Sequence, residues 1–213
     1  MNRIEAAARL SFKILAHKAC VGFFCFKAGL YWRGLAHDLS KFHPAEFLES
    51  VRFYDPRQSP VNAAKAEFGW SRAWQHHKGM NSHHYEYWVD DIDHGARLIR
   101  MPFEDVLELV CDGLGASIAY NWKVSGLYKR EWNWWTSGPM KKARMHPHTR
   151  AFIHSMLKQM RNENSCDALQ NGIARLTYDS VLSLMPDIPV SCPIEDCIWK
   201  EPESKEDRKF WLE

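Results

Sequence analysis

Residues 34–42 read Gly34-Leu35-Ala36-His37-Asp38-Leu39-Ser40-Lys41-Phe42. An imidazole and a carboxylate stand side by side in an otherwise apolar segment. Lys41 follows one helical turn on, at i+4 from His37 and i+3 from Asp38. Burying such a pair without a partner is costly, so something should satisfy it. Neutral imidazole and ionised carboxylate are both ordinary ligands for divalent metals. A surface helix with a capping salt bridge would also explain an isolated pair. The pair gains meaning from what precedes and follows it.

Upstream, residues 4–24 carry a helical pattern in which Leu10, Ile14, His17, Val21 and Phe24 form one stripe. His17 sits in the middle of it, where a buried histidine with a backbone partner would also fit. A second helix is expected over 26–42, with His37-Asp38 on its later turns. Gly29 and Gly34 either permit close helix contacts or mark a break. Pro44 suits the first turn of a helix reaching to about residue 53, with His43 as cap and Glu46 in the first turn. Residues 54–60 read as a loop with two prolines.

Downstream, Asn62 caps an expected helix running to about residue 78, with Trp70, Trp74 and His77 on one side and His76 beside them. Gly79 ends it. Asn81 or Ser82 then caps a short helix holding His83 and His84. Asp90, Asp91, Asp93 and His94 form a polar link. Pro102 opens a long helix over 101–122, in which Val106, Leu109, Val110 and Leu114 form the apolar side. Asp105 and Asp112 lie on a neighbouring side, and Gly113, Gly115 and Ala116 would let another helix come close. Residues 131–135 read as an aromatic-rich loop. Pro139, Lys141, Lys142 and Arg144 make a small basic region. Pro147 starts a helix to about residue 161, and a weaker helix spans 166–184. The tail reads as irregular, packed by Trp199 with Phe210 or Trp211. With helical periodicity and no strand-like alternation, the expectation is an all-α fold.

At 213 residues and 46% hydrophobic, the chain can build a core. One domain over 1–165 with a C-terminal helix and extension over 166–213 suits that length. Ten Trp, seven Tyr and eleven Phe can fill a core and line a pocket for a flat ligand. A formal charge of +2 is too weak to favour stable nucleic-acid binding. No apolar run is long enough to cross a bilayer, and the first residues lack the pattern of a signal peptide. The expectation is a cytoplasmic protein, free to form an oligomer. Most of the six cysteines should then be free thiols, while Cys192 and Cys197 can pair or hold zinc.

Placed in order, the candidates are His17, His37-Asp38, one of His76/His77, one of His83/His84, and Asp112. A helical bundle can point such ligands inward from several helices. His17, His37, Asp38 and Asp112 make a minimal site that leaves positions open on an octahedral metal. The middle histidines can add a second metal, or hold phosphate and activate water. His77 and His83 are the choices within the pairs.

This order resembles the HD-domain metal-dependent phosphohydrolases over roughly residues 10–125. It looks closest to small bacterial and phage proteins carrying a domain of unknown function. Their characteristic stretches read here as Phe26-Lys27-Ala28-Gly29-Leu30-Tyr31-Trp32 running into the His37 segment, and as Ala73-Trp74-Gln75-His76-His77-Lys78-Gly79 with Asn81, His83, His84, Tyr87 and Trp88. The resemblance implies an HD-like helical bundle, one or two divalent ions (Mg, Mn, Co, Ni, Zn or Fe) and hydrolysis of a phosphate ester or anhydride. Asp38, Lys41, His77 and His83 are the expected catalytic residues. Lys41, Lys78, Trp74, His84 and Trp88 are expected around a small phosphorylated ligand, with a nucleotide preferred. Some HD-domain proteins of similar pattern use two irons to activate oxygen. A nucleotide-binding regulator without turnover is the third reading.

Overall fold

The computed structural model describes residues 2–92, 95–120 and 143–197. The first helix, α1 (Arg3–Lys27), starts where the Asn2 side chain accepts from the Glu5 amide at 2.8 Å. Its stripe of Leu10, Ile14, His17, Val21 and Phe24 is buried. Against it lies α6 (Phe103–Tyr120), and Val21, Phe24, Val106, Leu107, Val110 and Leu114 belong to one core. The approach is close at Gly115. A Cβ there would lie 2.7 Å from the Val21 nitrogen, so only glycine fits. The small residues near Asp112 therefore admit a neighbouring helix, and that neighbour is α1.

The expected helix over 26–42 is broken. The chain turns at Gly29 (φ 74°), forms α2 (Tyr31–Ala36), and leaves helical geometry at His37. A 3₁₀ turn (Leu39–Phe42) follows, then α3 (Pro44–Arg52). The His43 imidazole caps α3 by accepting from the Ala45 amide at 3.2 Å. The expected helix over 62–78 is two helices, α4 (Pro60–Phe68) and α5 (Arg72–Met80). Gly69 in the left-handed region (φ 76°) ends the first, so Asn62 lies inside a helix rather than capping one. Ser71 caps the second, and Glu49 accepts from the Arg72 and Ala73 amides at 3.1 Å each. Met80, not Gly79, is the last residue of α5.

His83 and His84 lie in a turn before a 3₁₀ segment (Tyr85–Trp88), not within a helix. Next comes a hairpin, β1 (Val89–Ile92) and β2 (Gly95–Ile99). It overturns the expectation of a simple polar link over 90–94. Asp90 and Asp91 interrupt the alternation that would announce a strand.

Two further helices follow, α7 (Pro147–Glu163) and α8 (Asn171–Leu184), with a 3₁₀ turn (Asp167–Leu169) between them. The weaker expected helix over 166–184 is thus split. Then β3 (Ser191–Pro193) pairs with β2, placing Cys192 opposite Leu98. The described chain is an almost entirely helical bundle with a small, open three-stranded sheet. Cys192 and Cys197 form a disulfide, while Cys20, Cys25, Cys111 and Cys166 are free. Among the described residues, no helix is long and apolar enough to cross a membrane. The aromatic loop at 131–135, Pro139, Lys141, Lys142, Trp199, Phe210 and Trp211 lie outside the described residues.

Candidate metal centre

The break after α2 sets the geometry of the site. Lys18 donates to the carbonyls of Leu35 and His37, the latter at 3.0 Å, satisfying groups that a helix end leaves open. Asp38 then adopts φ 56°, the left-handed region, and the Lys41 amide donates to its carbonyl at 3.0 Å. Aspartate is among the few residues that visit this region at modest cost. The turn sends the His37 and Asp38 side chains into the bundle, where both are buried.

Asp38 lies at the middle of the cluster. Its Oδ2 is 3.2 Å from His17 Nε2, 3.4 Å from His37 Nε2 and 2.5 Å from Lys41 Nζ. Its Oδ1 is 3.4 Å from His77 Nε2 and 3.6 Å from His83 Nε2. Asp112 Oδ1 is 3.1 Å from His17 Nε2 and 3.6 Å from His37 Nε2. His84 Nε2 sits 2.9 Å from His77 Nε2. Two sets of imidazoles therefore flank one carboxylate. The side chains of Asp112 and Lys41, 17% and 27% exposed, mark the open side.

A second ring of side chains aims the first. Glu108 Oε1 accepts from Nδ1 of His37 at 2.9 Å and faces Nδ1 of His83 at 3.3 Å. Its Oε2 accepts from Arg33 Nη1 at 2.9 Å, and Arg33 also donates to Asp105 at 2.9 Å. Glu46 accepts from His77 Nδ1 at 2.9 Å and from His76 Nδ1 at 2.7 Å. With Nδ1 held by these carboxylates, the Nε2 atoms of His37, His77 and His83 turn inward, where they could ligate a metal.

Three inward atoms, His37 Nε2, Asp38 Oδ1 and His83 Nε2, are buried without a hydrogen-bond partner among the described residues. Such groups are expensive to leave unsatisfied. Cations on the two sides of Asp38 would satisfy them, His37 Nε2 on one side and Asp38 Oδ1 with His83 Nε2 on the other, so the donor set fits a metal. Ligand atoms of Asp38, His77, His83 and His84 lie within 4.8 Å of one another, as do those of His17, His37 and Asp38. These are buried groups that can chelate a divalent ion.

The electrostatics favour positive charge here. Burial pushes the Asp38 carboxyl up, but Lys41 and the imidazoles of His17, His37 and His77 outweigh it and hold it well below the usual range. Asp112 is held low in the same way by His17 and His37. Burial disfavours a charged His37, yet Asp112, Glu108 and Asp38 raise it to about 10. Burial and neighbouring His83 push His84 down to about 3, leaving it neutral and ready to ligate.

The remaining sequence candidates fall as follows. Trp74 is half-buried, with its ring edge-on to His84 at 5.3 Å. Trp88 donates its indole N–H to the Ser82 carbonyl at 2.7 Å and packs on the core, which holds the turn bearing His83 and His84. Lys78 is half-buried near Glu86. His76 turns to Glu46 and stacks on His43 at 4.4 Å. His84 lies among the ligand atoms rather than outside them. Sequence reasoning missed Arg33, Glu46 and Glu108. A signal for Glu108 existed, because Asp105, Glu108 and Asp112 recur at i, i+3 and i+7 on one stripe of α6.

No curated protein and no solved structure matches the chain. Residues 7–159 match a family of unknown function, DUF5662, over a span that takes in every residue of the cluster, and the chain belongs to that family.

Proposed function

We propose that the protein is a metal-dependent phosphohydrolase of the HD type, acting on a nucleotide or a related phosphate ester. The observation that carries this reading is the buried Asp38 carboxylate, with one oxygen toward His17 and His37 and the other toward His77 and His83. His17, His37, Asp38 and Asp112 would hold one ion. The other Asp38 oxygen, with His77, His83 and His84, would hold a second. A bound divalent ion supplies polarisation of a phosphoryl oxygen and a lower pKa for water. Lys41, at the open side, steadies phosphate oxygens and balances the charge of Asp38. Trp74 offers a partly exposed ring beside His84 for a base.

The His17, His37-Asp38, Asp112 order resembling HD-domain phosphohydrolases supports the same reading. The three imidazoles of the second set favour one alternative, a di-iron oxygenase, because imidazole suits iron. The deciding experiment is metal analysis of the purified protein, followed by a panel of nucleoside monophosphates and cyclic nucleotides with Mg, Mn, Co, Ni or Fe. The expected outcome is metal-dependent release of a hydrolysed product that does not require oxygen. Oxygen-dependent turnover of an iron-loaded protein would select the alternative. Tight nucleotide binding without product at full metal occupancy would remove the catalytic reading.

A further inference from the structure

Helix α2 is six residues long, too short to hold its shape alone. Its one buried residue is Gly34, which has no side chain to lock into a neighbour. Tyr31, Trp32 and Leu35 are largely exposed. Burial of apolar surface therefore does little to orient α2. Yet the helix runs straight into His37-Asp38, so its orientation sets where those two side chains point. Polar contacts have to supply what burial does not.

Arg33 makes such contacts, four residues before His37. On α6 the carboxylates of Asp105 and Glu108 are buried, with the exposed Glu104 beside them. Neighbours on one helix, they repel one another unless a cation joins them. Arg33 Nη1 donates at 2.9 Å to Asp105 Oδ1 and at 2.9 Å to Glu108 Oε2, and its Nε donates at 3.2 Å to Glu104 Oε2. Each buried carboxylate passes the contact on. The other oxygen of Glu108 holds Nδ1 of His37 and faces Nδ1 of His83. Asp105 accepts from the hydroxyl of Ser82, the residue before His83, at 2.5 Å. One guanidinium thus backs an imidazole on either side of Asp38.

We propose that Arg33 is a positioning residue of the metal centre, setting the direction of the His37 and His83 rings through Glu108 and Asp105. This rests on the metal centre and not on the reaction assigned to it. A guanidinium has no lone pair to offer a metal, so Arg33 acts only through the carboxylates. A phosphate-binding role would need donors turned to the open side at Lys41 and Asp112, whereas Arg33 Nη1 and Nε turn to carboxylates of α6.

The test is the metal affinity of the full chain, by titration of Mn against a chelator of known strength. The melting temperature of the metal-free protein is measured alongside. Arg33→Met should weaken binding about 10–100-fold, the usual effect of losing an outer partner of a ligand. Arg33→Lys keeps the charge on a shorter arm without the planar fork, and should recover part of that affinity. Glu104→Gln removes only the exposed partner and should bind as the natural chain does. In a Glu108→Gln background the further loss from Arg33→Met should be much smaller, because the two residues act in series. An arginine that merely holds the fold would lower the metal-free melting temperature and leave the affinity alone. Natural or tighter binding by Arg33→Met, or by Arg33→Lys should the first variant not fold, would overturn the proposal. Losses that multiply in full in the double variant would overturn it too. A natural chain that binds no ion would refute the metal centre itself, and the proposal with it.

Discussion

Asp38 combines an unusual backbone with the central carboxylate, and the two can be separated by mutation. Asparagine tolerates the left-handed region as aspartate does, and it keeps the size of the side chain. Asp38→Asn should therefore fold normally. It loses the charge that Lys41 and three imidazoles stabilise, and the amide is a poorer ligand. Turnover should fall by about 10²–10³ or more, while the melting temperature stays close to that of the metal-free natural protein. Full metal content with full turnover in this variant would refute the proposed centre. Lys41→Met should instead keep its metal and lose kcat/KM. Glu108→Ala releases both His37 and His83 from their shared anchor. Metal affinity should fall about 10–100-fold, read by titration with a chelator of known strength. His17 and His37-Asp38 were legible because polar residues interrupt apolar stretches, and the histidine pairs and Asp112 because they fall in an order that resembles the HD-domain proteins. Glu46 and Glu108 were not, since a carboxylate on a helix reads as solvated until a partner histidine is placed opposite.

Between elements, packing distances and capping groups decide what the sequence shows. Gly115 lies against the α1 backbone, so Gly115→Ala must push the helices apart. Overpacking of this kind costs about 1–3 kcal/mol, measurable by denaturant unfolding. Helix α7 and its N-cap carry three histidines whose ionisation is suppressed. Burial lowers His146 and His154 to about 4 each, and lowers His148 as well. The His146 ring donates from Nε2 to the Pro189 carbonyl and accepts the His148 amide at Nδ1, so it must stay neutral to cap α7. In the unfolded chain these rings bind protons near pH 6.5. Their contribution is thus complete above pH 6.5 and is lost as pH falls from there toward 4. For His146 it amounts to about 3 kcal/mol. The melting temperature should drop between pH 7 and pH 5. His146→Asn retains a capping side chain but does not titrate, so its melting temperature should vary less with pH. Prolines made the starts of α3 and α7 legible. A break before the His37-Asp38 pair was left open at Gly29 or Gly34, whereas the split at Gly69 was not legible, because apolar periodicity runs through it. The hairpin escaped because Asp90 and Asp91 interrupt its alternation, and the strand that pairs with the other edge of β2 lies almost a hundred residues away.

At the scale of the whole molecule, the cluster draws its side chains from α1, the turn after α2, α5, the turn before Tyr85 and α6. Positions 17 to 112 are thus tied together at one point. Among the described residues, His37 Nε2, Asp38 Oδ1 and His83 Nε2 of the cluster are buried without a hydrogen bond. An ion that binds only the folded arrangement stabilises it by mass action, by about 4 kcal/mol at a thousandfold excess over Kd. For a chain of this size that corresponds to roughly 8–16 °C in melting temperature. Removing metal with a chelator should lower the melting temperature by that order, and returning Mn or Fe should restore it. Asp38→Asn should show little response to either step, because the shared carboxylate is gone. Gly115→Ala weakens the helix contact without touching a ligand, so it should start from a lower melting temperature and still respond to the chelator. If the natural protein, shown by metal analysis to be loaded, melts at the same temperature before and after chelation, the cluster does not bind metal as a fold-spanning centre. Its histidines and carboxylates would then have to be satisfied by protons alone.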